Sequence, residues 1–172
     1  MGLFRGQRSS VGSALLIVLA VVVLLRPWED LDLWRDEPPR SVVAQVTRVV
    51  DGDTIEVRLD GAVEDVRYIG VDTPETVKPD TPVQCFGPQA SAFNHRLVEG
   101  ARLRLIFGVE RHDVYGRLLA YAYLGERMVN AELLRRGLAR TLTIPPNDRF
   151  AGRFERLERA AARAGRGLWG AC

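Results

Sequence analysis

In the stretch from Thr54 to Asp60, Ile55, Val57 and Leu59 alternate with Glu56 and Arg58. A period of two buries one face of a β-strand and leaves the other in water. Asp60-Gly61 follows as a hairpin turn signal, and residues 66–71 supply an apolar returning strand. That hairpin commits the chain to a sheet, and the remaining segments have to complete it.

They do so in a recognisable order. Residues 41–50 are β-branched and apolar enough for a first strand, and 103–107 and 117–124 read as two more. A proline-rich loop over residues 73–87 leads to Pro88, which suits the first turn of a helix carrying Ala90, Phe93 and Leu97 at helical spacing. A second, short helix over 128–136 is stopped by Gly137. Asn147 or Asp148 is placed to cap a third, whose Phe150, Phe154, Leu157 and Ala161 form one stripe. Five strands in two groups, with a helix after the third and helices after the fifth, predict an α+β fold. It is a small closed five-stranded β-barrel of the OB type with three helices.

The barrel accounts for residues 41–172, with no internal repeat or low-complexity segment. Ahead of it lie three short regions. Residues 1–10 are a basic flank carrying Arg5 and Arg8. Residues 11–25 bear no charge and form a hydrophobic segment. Seventeen residues separate Arg8 from Arg26, at the short end of what spans a bilayer. A cleaved signal peptide would share the charged start and the apolar middle, but it should end in small residues, and this run ends Leu24-Leu25-Arg26-Pro27-Trp28. The reading is therefore a single-pass membrane anchor with the domain on the extracytoplasmic side, and secretion after cleavage is the alternative. Residues 26–40, with Pro27, Pro38 and Pro39 among five acids, read as a linker.

Charge divides the domain. From Ser41 to His95 nine acids face four bases, and from Arg96 to Cys172 fifteen bases face eight acids. An acidic half that can hold a cation beside a basic half that can hold an anion suits a phosphate-bearing substrate; a solvated arginine-rich helix is the plainer alternative. Cys85 and Cys172 are an even pair in a chain read as exported, so a disulfide is expected, with two free thiols as the alternative. By the chain-entropy treatment such a bridge would stabilise the fold by roughly 4–5 kcal/mol.

The candidate chemistry sits at two acidic corners. Asp51-Gly52-Asp53 opens the alternating strand, and Arg67, Asp72 and Glu75 cluster where its partner ends. In a hairpin turning near Gly61, the start of one strand lies beside the end of the other. Asp53 and Asp72 thus become neighbours, as a hard cation such as calcium requires. Taken singly, each aspartate could be only a turn residue. On this reading Asp51 serves the turn and Asp53 is the carboxylate with a further task.

The segments DGDT (51–54), RYIGVDTPET (67–76), FGPQASAF (86–93), DVYGRLLAY (113–121) and MVNAELLRRGLA (128–139) resemble the staphylococcal nuclease (thermonuclease) family, in order and in spacing. The resemblance runs from residue 41 to about 169. It implies a calcium-dependent nuclease on an OB barrel, cleaving DNA and RNA with little sequence preference and leaving 3′-phosphate ends. It also implies a monomer favouring single-stranded or unwound substrate. Asp53 and Asp72 would hold Ca2+ through their carboxylates and Thr73 through its backbone carbonyl. Glu75 would be the general base, Arg67 and Arg117 would hold the phosphate, and Tyr115 would bind substrate.

Those roles make chemical sense. Attack on a phosphodiester anion needs its charge masked, and guanidinium forks match phosphate oxygens while staying charged. The chain also departs from the family. The type member's tyrosine-rich segment after the second helix is Thr141-Leu142-Thr143-Ile144-Pro145 here. The loop over 77–84 carries only Lys78, and Val114 stands where the type member has a lysine. These changes imply weaker binding with a smaller salt dependence. His95 and His112 have no part in the pattern and read as surface residues. Two other readings compete: a catalytically inactive binding module on the same barrel, and a tethered domain whose acids bind calcium for stability alone. The first should have lost the acid and arginine set, and the second leaves Arg67, Glu75 and Arg117 without a purpose.

Overall fold

The computed structural model describes residues 41–77 and 82–172. The flank 1–10, the hydrophobic segment 11–25, the linker 26–40 and Lys78 lie outside the described residues. Among the described residues no helix is long and apolar enough to cross a membrane.

Strand β1 (Ser41–Val49) runs between β2 (Thr54–Leu59) and β5 (Arg102–His112), antiparallel to both. β3 (Ala62–Tyr68) pairs with the outer edge of β2, and β6 (Leu118–Leu124) with that of β5. β3 and β6 then pair in parallel, Val66 opposite Leu118, and the five strands close into a barrel. Closure removes both free sheet edges. Val46, Ile55, Val57, Val66, Leu103, Leu105 and Ala120 fill its interior, all at 2% exposure or less. Each buried valine, leucine or isoleucine among them stabilises the fold by about 1.5–3 kcal/mol. Short strands complete the framework: β4 (Gly70–Asp72) pairs with β8 (Arg140–Leu142), and β7 (Arg127–Met128) adds to β6.

Among the described residues four helices flank the barrel: α1 (Gly87–Val98), α2 (Val129–Arg135), α3 (Ala151–Arg163) and the single turn α4 (Leu168–Ala171). Pro88 occupies the first turn of α1, and Gly137, at φ 68°, ends α2 by sending Leu138 N–H back to the Leu133 carbonyl. Cys85 and Cys172 form a disulfide, 87 residues apart in sequence.

Four details differ from the sequence reading, each for a local reason. The third strand begins at Ala62 rather than residue 66. Asp60 and Gly61, both at positive φ, make a two-residue turn that starts the ladder at once, Leu59 opposite Ala62. Residues 62–65 are largely exposed, so hydrogen bonds hold them in the strand without any apolar pattern. That strand stops at Tyr68, and residues 70–72 leave the barrel to pair with β8. β5 runs on past residue 107 to His112. Finally, neither Asn147 nor Asp148 caps α3 with its side chain: the N-cap is Phe150, with no side-chain bond. Asn147 is buried and serves as a stand-in strand for β5, accepting Glu110 N–H at 3.1 Å and donating to the Glu110 carbonyl at 2.9 Å.

Two more buried asparagines brace the barrel. Asn94 on α1 donates to the Asp51 carbonyl (3.0 Å) and accepts the Tyr68 hydroxyl (3.2 Å). Asn130 on α2 accepts Ala122 N–H (3.0 Å) and donates to the Ile69 carbonyl (2.8 Å). The α1 face toward the core is thus Ala90, Asn94 and Val98, with Phe93 and Leu97 at its margin.

Candidate active site

The corner at residues 51–53 is built by its own carboxylate. Asp51 Oδ1 accepts Asp53 N–H at 2.9 Å, a side chain imitating a backbone turn. Gly52 is required by contact, since a Cβ there would fall 2.6 Å from Thr73 Oγ1. Asp53 enters β2 opposite the end of β3, where its carbonyl accepts Tyr68 N–H at 2.9 Å. Asp53 is only 4% exposed, and such a carboxylate must be satisfied internally. Its Oδ2 accepts both N–H (2.7 Å) and Oγ1–H (2.9 Å) of Thr73, and its Oδ1 faces Thr54 Oγ1 and Arg67 Nε.

Arg67 joins the two acidic corners. Its Nε lies 3.1 Å from Asp53 Oδ1 and its Nη2 2.9 Å from Asp72 Oδ1. Its Nη1 donates to the carbonyls of Tyr68 (3.0 Å) and Val71 (2.7 Å). Three of the five guanidinium N–H groups donate hydrogen bonds and Nε is ion-paired with Asp53, which fixes the plane and leaves one Nη2 donor. Asp53, Arg67, Asp72 and Thr73 therefore meet, as the hairpin register with Thr54 opposite Arg67 dictates.

Negative charge remains concentrated at the corner. Burial first, and the neighbouring Asp53 second, push the Asp51 carboxyl up to about 6. Asp53, Asp72 and the Thr73 carbonyl offer hard oxygen donors of the kind calcium takes. Asp53 accepts three hydrogen bonds and faces the Arg67 guanidinium, so a cation would compete with these contacts. Asp72 is exposed and meets Arg67 through Oδ1. Among the described residues no three His, Cys, Asp or Glu stand together as a ready metal cage. The donor chemistry fits a hard cation held partly by groups from outside the chain.

Arg117 comes from the turn between β5 and β6. Asp113 organises that turn: Oδ1 accepts the N–H groups of Tyr115 (2.9 Å) and Arg117 (3.0 Å), and Oδ2 accepts Arg117 Nε (2.7 Å). The Arg117 guanidinium also lies over the Tyr115 ring, 5.3 Å from its centre. Arg67, Arg117 and Tyr115 line one cavity of about 280 Å³, with Val114, Leu142 and Ile144 as an aliphatic wall. Glu75 stands outside that lining, three residues beyond Asp72. Its Oε1 accepts the N–H groups of Thr76 (2.8 Å) and Val77 (2.9 Å). His95 and His112 are exposed, and His95 is paired with Glu99.

Two residues of this neighbourhood escape the sequence reading. Asp113 could have been found, because an aspartate three residues before a glycine is an Asx-turn signal. Gln84, which holds the backbone of Glu75, carries no such signal.

The family model described as "Staphylococcal nuclease homologue" matches residues 65–171. The thermonuclease of Staphylococcus intermedius is 42% identical over 158 residues, 90% of this chain and 94% of that protein. The thermonuclease of Staphylococcus hyicus is 38% identical over 167 residues, 92% and 97% of the two. Endonuclease YncB of Bacillus subtilis (strain 168) is 43% identical over 132 residues, 76% of this chain and 63% of that one.

Proposed function

The chain belongs to the staphylococcal nuclease family and is a nuclease hydrolase acting on nucleic acid, and from that premise we propose a calcium-dependent endonuclease. It hydrolyses the phosphodiester bonds of DNA and RNA with little sequence preference, favours single-stranded or unwound stretches and leaves 3′-phosphate ends. The observation that carries this reading is the Arg67 guanidinium, held by Asp53 and Asp72 and lining one cavity with Arg117 and Tyr115.

Each group has a task that its surroundings favour. Arg67 is fixed from behind by two carbonyls and Asp53, so its open Nη2 edge meets a phosphate oxygen with little loss of side-chain entropy. Arg117 uses Nε and one Nη2 contact on Asp113, which leaves three N–H donors for the same phosphate as charge builds on phosphorus. Glu75 takes the proton of the attacking water; the new P–O bond forms as the bond to the 5′ oxygen breaks, and that oxygen leaves with a proton from solvent. Ca2+, held by Asp53, Asp72 and the Thr73 carbonyl, would supply further neutralisation of the phosphate. Tyr115 and the aliphatic wall of Leu142 and Ile144 receive a nucleotide without reading its edges, so base preference is weak.

The protein acts as a monomer, exported and held at the membrane by residues 11–25, or released after cleavage there. The Cys85–Cys172 bond supports an oxidising compartment. The test is cleavage of single-stranded DNA by the purified protein with calcium, with EDTA, and with Glu75→Ala. Cutting that needs calcium and collapses in the variant is the expected result. Tight binding without cutting under every divalent ion would replace the enzyme with a binding module.

A further inference from the structure

We infer that Gln84, anchored by the Cys85–Cys172 disulfide, positions Glu75 for proton transfer, so that turnover depends on that bond being intact. The inference rests on the reading of Glu75 as general base.

Glu75 lies on a loop, and Gln84 bonds its backbone on both sides. Glu75 N–H donates to Gln84 Oε1 at 3.0 Å, and Gln84 N–H donates back to the Glu75 carbonyl at 2.9 Å. This two-bond clamp closes the loop whose far side is exposed at Val77 and Val83. Behind the clamp the fit is close. Gln84 accepts Gly87 N–H at 3.0 Å, and a Cβ on Gly87 would fall 3.0 Å from the carbonyl oxygens of both Pro74 and Glu75. The first residue of α1 therefore lies against the backbone that carries Glu75.

Cys85 sits between these two contacts, next to Gln84, and its partner is anchored elsewhere. Cys172 ends α4, whose Leu168 is 3% exposed and donates its N–H to the Gly137 carbonyl at 2.9 Å. The Arg140 guanidinium lies 4.3 Å from the Trp169 ring centre. The disulfide thus ties an exposed segment to a turn packed on the end of α2. Gln84 and Cys85 are themselves exposed, and no apolar burial holds them in place. A hydrogen-bonded clamp exposed to water contributes little by itself, because water competes for both partners. A covalent tether one residue away raises the time the clamp spends closed.

Loosening the clamp should leave phosphate binding alone, because Arg67 and Arg117 are held by other residues. It should lower kcat, because a base displaced by about 1 Å loses up to about a hundredfold in rate. The experiment measures kcat and KM on single-stranded DNA for four forms of the full-length protein. These are the oxidised protein, the same protein reduced by a dithiol (two electrons and two protons give two thiols, counted by thiol titration), Gln84→Ala with the bond intact, and Glu75→Ala. The expected result is a fall in kcat of about tenfold or more for the reduced and Gln84→Ala forms. KM should stay within about twofold, and reoxidation should restore kcat. Should reduction unfold the protein, Gln84→Ala decides, since its disulfide remains. Unchanged kcat in that variant, with Glu75→Ala inactive, overturns the positioning role and leaves the base in place. Full activity in Glu75→Ala overturns the base and the positioning role together.

Discussion

Replacing Asp51 by Asn tests how much the acidic corner costs the fold. The amide keeps Oδ1 as acceptor for Asp53 N–H and removes the charge. In the folded protein the Asp51 carboxyl lies at about 6, against 3.8 for the free side chain, through burial and then Asp53. An acid whose folded value is raised binds more protons folded than unfolded between those two values, so stability falls as pH rises through the window. The cost is complete above about pH 6. At about 1.36 kcal/mol per unit it reaches about 3 kcal/mol at pH 8, and it is about 1 kcal/mol at pH 4.5, where the unfolded chain is already largely ionised. Asp51→Asn should therefore stabilise the EDTA-treated protein by about 2 kcal/mol more at pH 8 than at pH 4.5. Urea titrations of both proteins at the two pH values read this difference directly. With calcium bound the gain should shrink, because a cation neutralises the charge that the amide removes. A gain independent of pH, or one larger at pH 4.5, would refute the electrostatic account.

Three further substitutions probe the supports of the site. Gly70 has φ +78°, and a Cβ there would lie 2.5 Å from Phe154 Cε2, so Gly70→Ala should cost about 2–3 kcal/mol in chemical denaturation. Asn130→Ala removes the partner of Ala122 N–H and the main donor to the Ile69 carbonyl, and the same measurement should show a loss of about 2–4 kcal/mol. Asp113→Ala releases Arg117 and the Tyr115 backbone together, and steady-state cleavage should show kcat/KM lower by about tenfold or more; an unchanged value would mean that Arg117 is held by something else.

The parts of the fold legible in the sequence are those where burial writes a period. The β2 alternation and the α3 stripe are both present, with Ile55, Val57, Phe154 and Ala161 fully enclosed. The first half of β3 is illegible for the converse reason: it is held by the ladder from β2 and buries little. The cap of α3 is illegible because asparagine has two uses near a helix start, and here the amide is spent on the Glu110 backbone. That Asp53, Arg67 and Asp72 meet is legible because a hairpin with a known turn fixes which residues face one another. Gln84 is not, because its role rests on a backbone pairing across a loop whose path no local pattern encodes.

Charge asymmetry pointed to a polyanion but could not locate the site, and the structure shows why. All fifteen bases after His95 are arginines, and several are engaged in ways that have no bearing on phosphate. Arg104 lies over Tyr123, Arg111 over Phe107 and Arg136 over Phe93, while Arg135 pairs with Glu132 and Arg159 with Glu155. A planar guanidinium can stack on a ring and keep its edge donors, which an ammonium cannot do, so arginine serves packing as readily as anion binding. A count of positive charge therefore mixes the two uses. What separates Arg67 and Arg117 from the rest is that each is fixed by a carboxylate on one side and faces the same cavity on the other. That distinction is one of position along the hairpin and the β5–β6 turn, and so the spacing of the motifs points to the candidate site where the charge suggests only that one exists.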